Sequence, residues 1–326
     1  MNIKQRIFDM LPERFRFDYS HCKRMKMIQA CKAMPLEEYE RYIAEEYQAR
    51  TGFSMDFAHP ITLTQKQQWM KLYDQSEVKR QCSDKYAVRQ YIEERLGKEH
   101  LIPLITLDGK DHFYSAHEID FDKLPNQFVL KCSHGSGYII IVSDKMKLSK
   151  GKIDLIKHKL SCWLEEDFAY FNGLELVYTG VKPCIIIEQY MAIDNDLPDY
   201  KFLCFAGEVK YVWCDEGRFV DHRRSVFDLD YQLQPFSFHT YDAIIHKEKP
   251  QGFEMMLEIS KKLCRDFPFV RVDLYSVNGA VYFGELTFSS SSGYELPTPN
   301  EYDAFLGKLV RIDLSKREAN HRYRKV

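Results

Sequence analysis

The chain has 326 residues, 45% hydrophobic and 29% charged, with a formal net charge of −2. That length allows two or three coupled subdomains, and the near-neutral charge excludes the basic field that bulk nucleic-acid binding needs. The nine cysteines are scattered without a CxxC pair, which points to reduced thiols in a reducing compartment and away from structural zinc.

Apolar runs stay far below the roughly 18 residues that span a bilayer. The start, MNIKQRIFDMLPERFRF, lacks the long apolar core and cleavage site of a signal peptide. A cytoplasmic protein is expected, with the inner face of a membrane as the alternative setting. Ile3, Ile7, Phe8, Leu11 and Phe15 fit a short amphipathic helix, docked on its own core or on a membrane surface.

Residues 1–60 read as a charged helical extension, with Tyr39, Tyr42, Ile43 and Tyr47 at helical spacing. His59-Pro60 marks a break. A second helical stretch is expected from Thr64 to Gly97, with Ser83 capping its last piece. After Pro125 the pattern turns to strands: FVLKCSH (128–134), then Gly-Ser-Gly, then YIIIVS (138–143). Ser149 opens a helix with Ile153, Ile156, Leu160, Trp163 and Leu164 on one stripe. PCIIIEQYM (183–191) reads as a buried strand, and 200–214 as two strands about Ala206-Gly207. A helix over 251–265 and a hairpin over 269–286 turning at Asn278-Gly279 follow. Intermixed elements joined by tight hairpins make an α+β plan with antiparallel sheets.

Three constellations carry chemistry. Lys131 stands on a strand before the loop Ser133, His134, Gly135, Ser136 and Gly137. Glycines let backbone N–H groups approach phosphate oxygens, and the lysine adds a point charge. The paired glycines also predict a mobile loop. A plain hairpin turn is the structural alternative. In Ile185–Met191 an apolar strand ends on Glu188 and Gln189: either a solvated strand end, or an adenine slot with the base edge on the backbone beyond Glu188 and the ribose on an acid of Asp194–Asp196. On the hairpin, Arg271, Asp273 and Tyr275 share one face, and Phe283, Glu285 and Thr287 share one face of the partner strand. Tyr282 joins Val272, Leu274 and Leu286 on the buried side. With a three-residue loop at Asn278–Ala280, Asp273 faces Glu285 and Arg271 faces Thr287. Opposed carboxylates repel unless a cation separates them. Oxygen-only ligation suits Mg²⁺; neutralisation by Arg271 is the structural alternative.

Together, in this order, these pieces resemble the ATP-grasp superfamily, and more specifically the TupA-like ATP-grasp family of cell-surface polysaccharide gene clusters. The matching text is TQKQQWMKLYD (64–74), DKYAVRQYI (84–92), LPNQFVLKCSHGSG (124–137), DYKFLCFAGEVKYVW (199–213) and RVDLYSVNGAVYFGELTF (271–288). The resemblance implies an α+β ATP-grasp fold, two subdomains sandwiching ATP, over residues 61–326. About 126–191 would form the phosphate-lid part, and about 192–326 the metal- and acceptor-binding part.

It also implies roles. ATP would meet Lys131, the lid Ser133–Gly137, and Glu188, Gln189, Met191 and Asp194 at the nucleotide. Lys201 would reach the terminal phosphate, each lysine facing phosphate and not a core carboxylate. Asp273 and Glu285 would be the Mg²⁺ ligands. Thr287 stands where the superfamily pattern has Asn, with Ser289 or water as its substitutes. Arg271 would sit beside the reacting carboxylate, His134 would contact phosphate, act as a base or shape the lid, and Lys85 would stand near the nucleotide. His222, Arg223 and Arg224 would hold an anionic acceptor, or lie on a solvated loop. The implied reaction joins a small-molecule or glycan carboxylate to an amine. The alternatives are a kinase acting on a sugar hydroxyl and a non-catalytic glycan-binding protein. Partners would include membrane-bound polysaccharide machinery, and no nucleic acid.

Overall fold

A computed structural model describes residues 8–171, 173–191, 197, 199–216, 223–238 and 248–317. In chain order the described helices are α1 (Glu13–Ala33), α2 (Tyr39–Thr51), α3 (Leu63–Tyr73), α4 (Glu77–Ser83), α5 (Val88–Leu96), α6 (Lys150–Glu165), α7 (Phe253–Leu263) and α8 (Glu301–Gly307). The strands are β1 (His112–Phe113), β2 (Phe128–Cys132), β3 (Ile139–Val142), β4 (Ile185–Gln189), β5 (Asp199–Phe205), β6 (Glu208–Glu216), β7 (Arg223–Phe227), β8 (Ser237–Phe238), β9 (Phe269–Val277), β10 (Ala280–Thr287) and β11 (Pro297–Thr298).

The chain divides into two compact units. Unit 1 comprises Met1–Pro35, Pro103–Leu174 and Tyr178–Tyr190; unit 2 comprises Leu36–Ile102, Glu175–Val177 and Met191–Val326. The division does not follow the expected boundary at residue 60: α1 belongs to unit 1 and α2 to unit 2. Within unit 1, Glu13 of α1 meets Lys152 and Lys159 of α6. In unit 2, Tyr47 of α2 bonds Thr64 of α3 at 2.7 Å.

Unit 1 holds a four-stranded sheet in the order β1-β4-β2-β3, every pairing antiparallel. Phe128, Leu130, Ile185 and Ile187 point from one face into a core completed by Ile156, Leu160 and Trp163 of α6. Ser149 caps α6 by accepting from the Lys152 amide, so the Ser-x-x start holds as expected. Unit 2 holds a five-stranded antiparallel sheet, β10-β9-β5-β6-β7. Phe202, Cys204, Val212, Val270, Val272 and Leu274 line its core face with Met256 and Leu263 of α7.

The helical stretch expected over Thr64–Gly97 is three helices. Ser83 ends α4, donating to the Lys79 carbonyl at 2.9 Å; Asp84 instead receives the amides of Tyr86 and Ala87 ahead of α5. An aspartate oxygen outcompetes a serine already spent on the preceding turn.

The β9–β10 hairpin pairs Asp273 with Glu285 and Arg271 with Thr287, as expected, but for a different reason. Its loop is the two residues Asn278 and Gly279, both at positive φ (52° and 82°), the turn that matches strand twist. The lost residue is restored by a bulge between Phe283 and Glu285. Gly284 permits it, because a Cβ there would lie 2.9 Å from the Asp273 carbonyl oxygen. The bulge switches the alternation. Phe283 joins Val281 and Leu274 in the core, and Tyr282 pairs with Tyr275 on the other side, correcting the expected placement of both.

Candidate active site

The five-stranded sheet of unit 2 gathers charge on one face. Register places Lys201 of β5 opposite Asp273 of β9 and Trp213 of β6, and Asp199 opposite Asp215. Lys201 is buried, ion-paired to Asp199 and, at 3.1 Å, to Asp215. Arg224 of β7 forks onto Asp215 at 2.5 and 3.1 Å and reaches Glu295 at 3.4 Å. Ser290 accepts from Arg271 and donates to Glu295, both at 2.8 Å. Arg271 closes the row with a bidentate pair to Asp273 at 2.7 Å and contacts of 3.2 Å to Glu285 and Thr287. Beneath them lies Trp213, its ring 4.0 Å from the Arg224 guanidinium and 5.3 Å from that of Arg271, where its negative face favours both cations.

Five carboxylates thus share three cations, and negative charge remains in excess even with Lys85, which with Arg271 holds the Glu285 carboxyl below its usual range. Burial pushes the Asp273 carboxyl up to about 7 despite Arg271 and Lys201. Asp215 is driven far below the carboxylate range, because its bonds to Arg224 and the charge of Lys201 outweigh burial. An electronegative, oxygen-lined face suits a divalent cation. Asp273 and Glu285 would hold it, with the Thr287 hydroxyl, which donates to Glu285 at 2.8 Å, as neighbour. Arg271 occupies both Asp273 oxygens, so a cation takes them only when the guanidinium yields. Glu285 is 44% exposed and open to ligation. Ser289, the suggested substitute for Thr287, bonds Glu175 at 3.3 Å instead.

Both lysines contradict the expectation that they face no carboxylate. Lys201 bridges two, and in unit 1 Lys131 pairs with Glu188 at 2.5 Å across β2 and β4. Glu188 is therefore buried, not a solvated strand end. Buried charges require partners, and a cross-strand ion pair meets that need. Beyond Glu188, the Gln189 amide donates to the Pro103 carbonyl at 3.0 Å, so it does not face outward; Gln189 is exposed and Met191 half-buried.

The glycine loop is more anchored than its composition suggests. Ser133 is buried, exchanging backbone and hydroxyl bonds with Cys184 at 2.7 and 3.2 Å. His134 is buried, its Nε2 donating at 3.0 Å to the Trp163 and Glu166 carbonyls. An imidazole held this way shapes the loop, which corrects its expected catalytic place. A Cβ on Gly135 would sit 2.4 Å from the Phe168 ring. Only Ser136 and Gly137 are exposed.

Of the expected acceptor cluster, Arg223 is exposed and Arg224 buried, because strand neighbours point to opposite faces. His222 and Asp194 lie outside the described residues. Sequence reasoning missed Asp199, Asp215, Ser290 and Glu295. Asp199 and Asp215 were legible in principle from period two, two residues from Lys201 and Trp213; Glu295, in the loop beyond β10, carries no such signal.

Both stems of the loop rest on Glu166. Its carboxylate takes Arg24 at 2.9 Å, His21 at 2.6 Å and the Tyr138 hydroxyl. Burial raises its pKa, but these bonds outweigh it and hold the carboxyl below its usual range. The sign follows: the stabilisation is full above the unfolded carboxylate pKa of about 4.3 and is lost as pH falls through the lower folded value. Glu166→Gln is expected to cost about 3 kcal/mol at pH 7, read by urea unfolding, with the difference from wild type shrinking toward pH ~3.

The antiparallel α+β units, with a lysine and glycine loop on one and a paired-acid hairpin on the other, define an ATP-grasp protein. The TupA-like ATPgrasp family model matches residues 65–311, and the chain belongs to that family. No curated protein matches it. Among solved structures it is similar to a D-alanine–D-alanine ligase from Bacillus anthracis, at 18% identity and TM-score 0.38, covering 75% of this chain and 69% of that one. It is also similar to the Helicobacter pylori D-alanine–D-alanine ligase, at 15% identity and TM-score 0.37, covering 71% of this chain and 61% of that one. A third is the phosphoribosylamine–glycine ligase of Thermotoga maritima, at 13% identity and TM-score 0.38, covering 65% of this chain and 48% of that one. The chain thus spans less than two thirds of the second and third of these.

Proposed function

We propose that this protein is an ATP-dependent carboxylate–amine ligase. The observation that carries the reading is the row of charged residues Lys201, Asp273, Glu285 and Arg271 on one sheet face, in a chain of the TupA-like ATPgrasp family. A carboxylate oxygen of the acceptor attacks the γ-phosphorus of ATP, the bond to ADP breaks, and an acyl phosphate forms. The amine nitrogen then attacks the acyl carbon, phosphate leaves, and the nitrogen loses a proton to give an amide.

Lys131, Ser136, Gly137 and Lys201 are proposed phosphate contacts, and Glu188 with Gln189 and Met191 the nucleotide contacts. Asp273 and Glu285 would hold magnesium, which would neutralise charge on the transferring phosphoryl group. Arg271 is placed to hold the reacting carboxylate once it releases Asp273, since a guanidinium fork fits either carboxylate equally. The acceptor proposed is a sugar acid, joined to an amino acid or amine during surface-polysaccharide synthesis, in the cytoplasm and in association with membrane-bound machinery. No described helix is long and apolar enough to cross a membrane.

The test is ADP release across a panel of sugar acids, each with and without amines. Release that requires a carboxylate, with amide formed only when amine is added, is the expected result. Phosphorylation of a neutral sugar hydroxyl without amine would make the protein a kinase and reject the ligase reading.

A further inference from the structure

Unit 1 carries a second concentration of chemistry, built with α1, which precedes the segment matched by the family model. An open cleft of 610 Å³ is lined by Phe8, Phe17, Trp163 and Phe171, with Arg16 and the glycine-loop residue Ser136 at its wall. Aromatic walls with a few polar groups are the usual make-up of a small-molecule site.

Its charges are not balanced. Glu13 is answered twice, by Lys152 at 2.6 Å and Lys159 at 2.7 Å, and those lysines hold its carboxyl down at about 2. Arg24 is answered by Glu166, through Nε at 2.9 Å to both oxygens. Arg16 is answered by nothing among the described residues: its guanidinium makes no ion pair, and its Nε is buried with no hydrogen-bond partner. A buried donor without a partner costs free energy that an anionic ligand would recover.

We infer that this cleft is a binding site for a ring compound bearing a carboxylate or a phosphate. The anion pairs with Arg16. The ring lies against the aromatic walls, and its hydroxyls bond the Ser136 side chain. Sugar acids and sugar phosphates share this chemistry. Because Ser136 belongs to the exposed tip of the glycine loop, an occupant touches the loop directly.

The site is testable without nucleotide, independently of the ligase reading. Trp163 reports on it, since it lines the cleft while Trp69 and Trp213 are fully buried elsewhere in the fold. Glucuronate, glucose 6-phosphate and glucose are titrated into the full-length protein, following tryptophan fluorescence and, separately, saturation-transfer NMR of the ligand. At least one of the two anions should saturate with a Kd on the order of millimolar, and which one does so names the head group. Glucose should not saturate. Arg16→Gln should raise that Kd at least about tenfold, Arg16→Lys should raise it less, and both should melt with the wild type because the Arg16 guanidinium makes no ion pair among the described residues. Trp163→Phe should remove the fluorescence change while the NMR signal persists. Saturation by neither anion, an unchanged Kd in Arg16→Gln, or equal binding of glucose would overturn the site.

Discussion

Asp273→Asn is expected to lower both stability and turnover, whereas Glu285→Gln lowers turnover alone. Asp273 is buried and takes both bonds of the Arg271 fork at 2.7 Å. An asparagine offers one acceptor in place of two and no charge, leaving a buried guanidinium short of its partner. That costs on the order of 3 kcal/mol or more. Glu285 touches Arg271 at 3.2 Å but is 44% exposed, so water replaces the lost contact and the cost stays under about 1 kcal/mol. Repulsion between two opposed acids would have made either substitution neutral or stabilising; Arg271 between them reverses that sign for Asp273. Each variant should lose at least about a hundredfold in rate, because each removes a carboxylate that holds charge against the transferring phosphoryl group. Urea unfolding without nucleotide and ADP release per folded molecule separate the two effects. Wild-type activity in Glu285→Gln would end the two-carboxylate account.

Lys201→Met should be the most damaging single change in unit 2. It removes the ammonium that Asp199 and Asp215 share, both buried around the lysine. Arg224 still holds Asp215, but Asp199 loses its ion pair to Lys201, and the expected destabilisation is about 3–5 kcal/mol. Adding Asp199→Asn removes the buried charge that the lysine offset, so the double variant should recover most of that stability, a coupling that a double-mutant cycle measures directly. It should recover no turnover if Lys201 also reaches phosphate. Recovery of both together would make the lysine a structural cation alone.

Local signals reached far in this chain. Asn278-Gly279 located the hairpin, and the alternation of Arg271 and Asp273 located the acids, since both depend on near neighbours. The same alternation failed at Phe283, because nothing local distinguishes Gly284 as a bulge until the Asp273 carbonyl is seen against it. The ion-pair partner of Lys131 lay beyond reach for another reason. A buried lysine is read as functional from its type, but its partners are set by register between strands that are distant in sequence, as with Lys131 and Glu188. The choice among the readings of His134 was out of reach likewise: its carbonyl partners at Trp163 and Glu166 are about thirty residues away. The place of α1 was equally hidden, because its attachment rests on Arg24 and His21 meeting one glutamate far along the chain.

The central claim is that the acidic face of unit 2 holds magnesium for nucleotide. Calorimetric titration of the full-length protein with a non-hydrolysable ATP analogue, with and without Mg²⁺, tests it most directly. The account predicts binding that depends on Mg²⁺ and weakens at least about tenfold in Glu285→Gln, whose fold is expected to be intact. Absence of binding at millimolar nucleotide with excess Mg²⁺, or equal binding with the metal chelated, would contradict it.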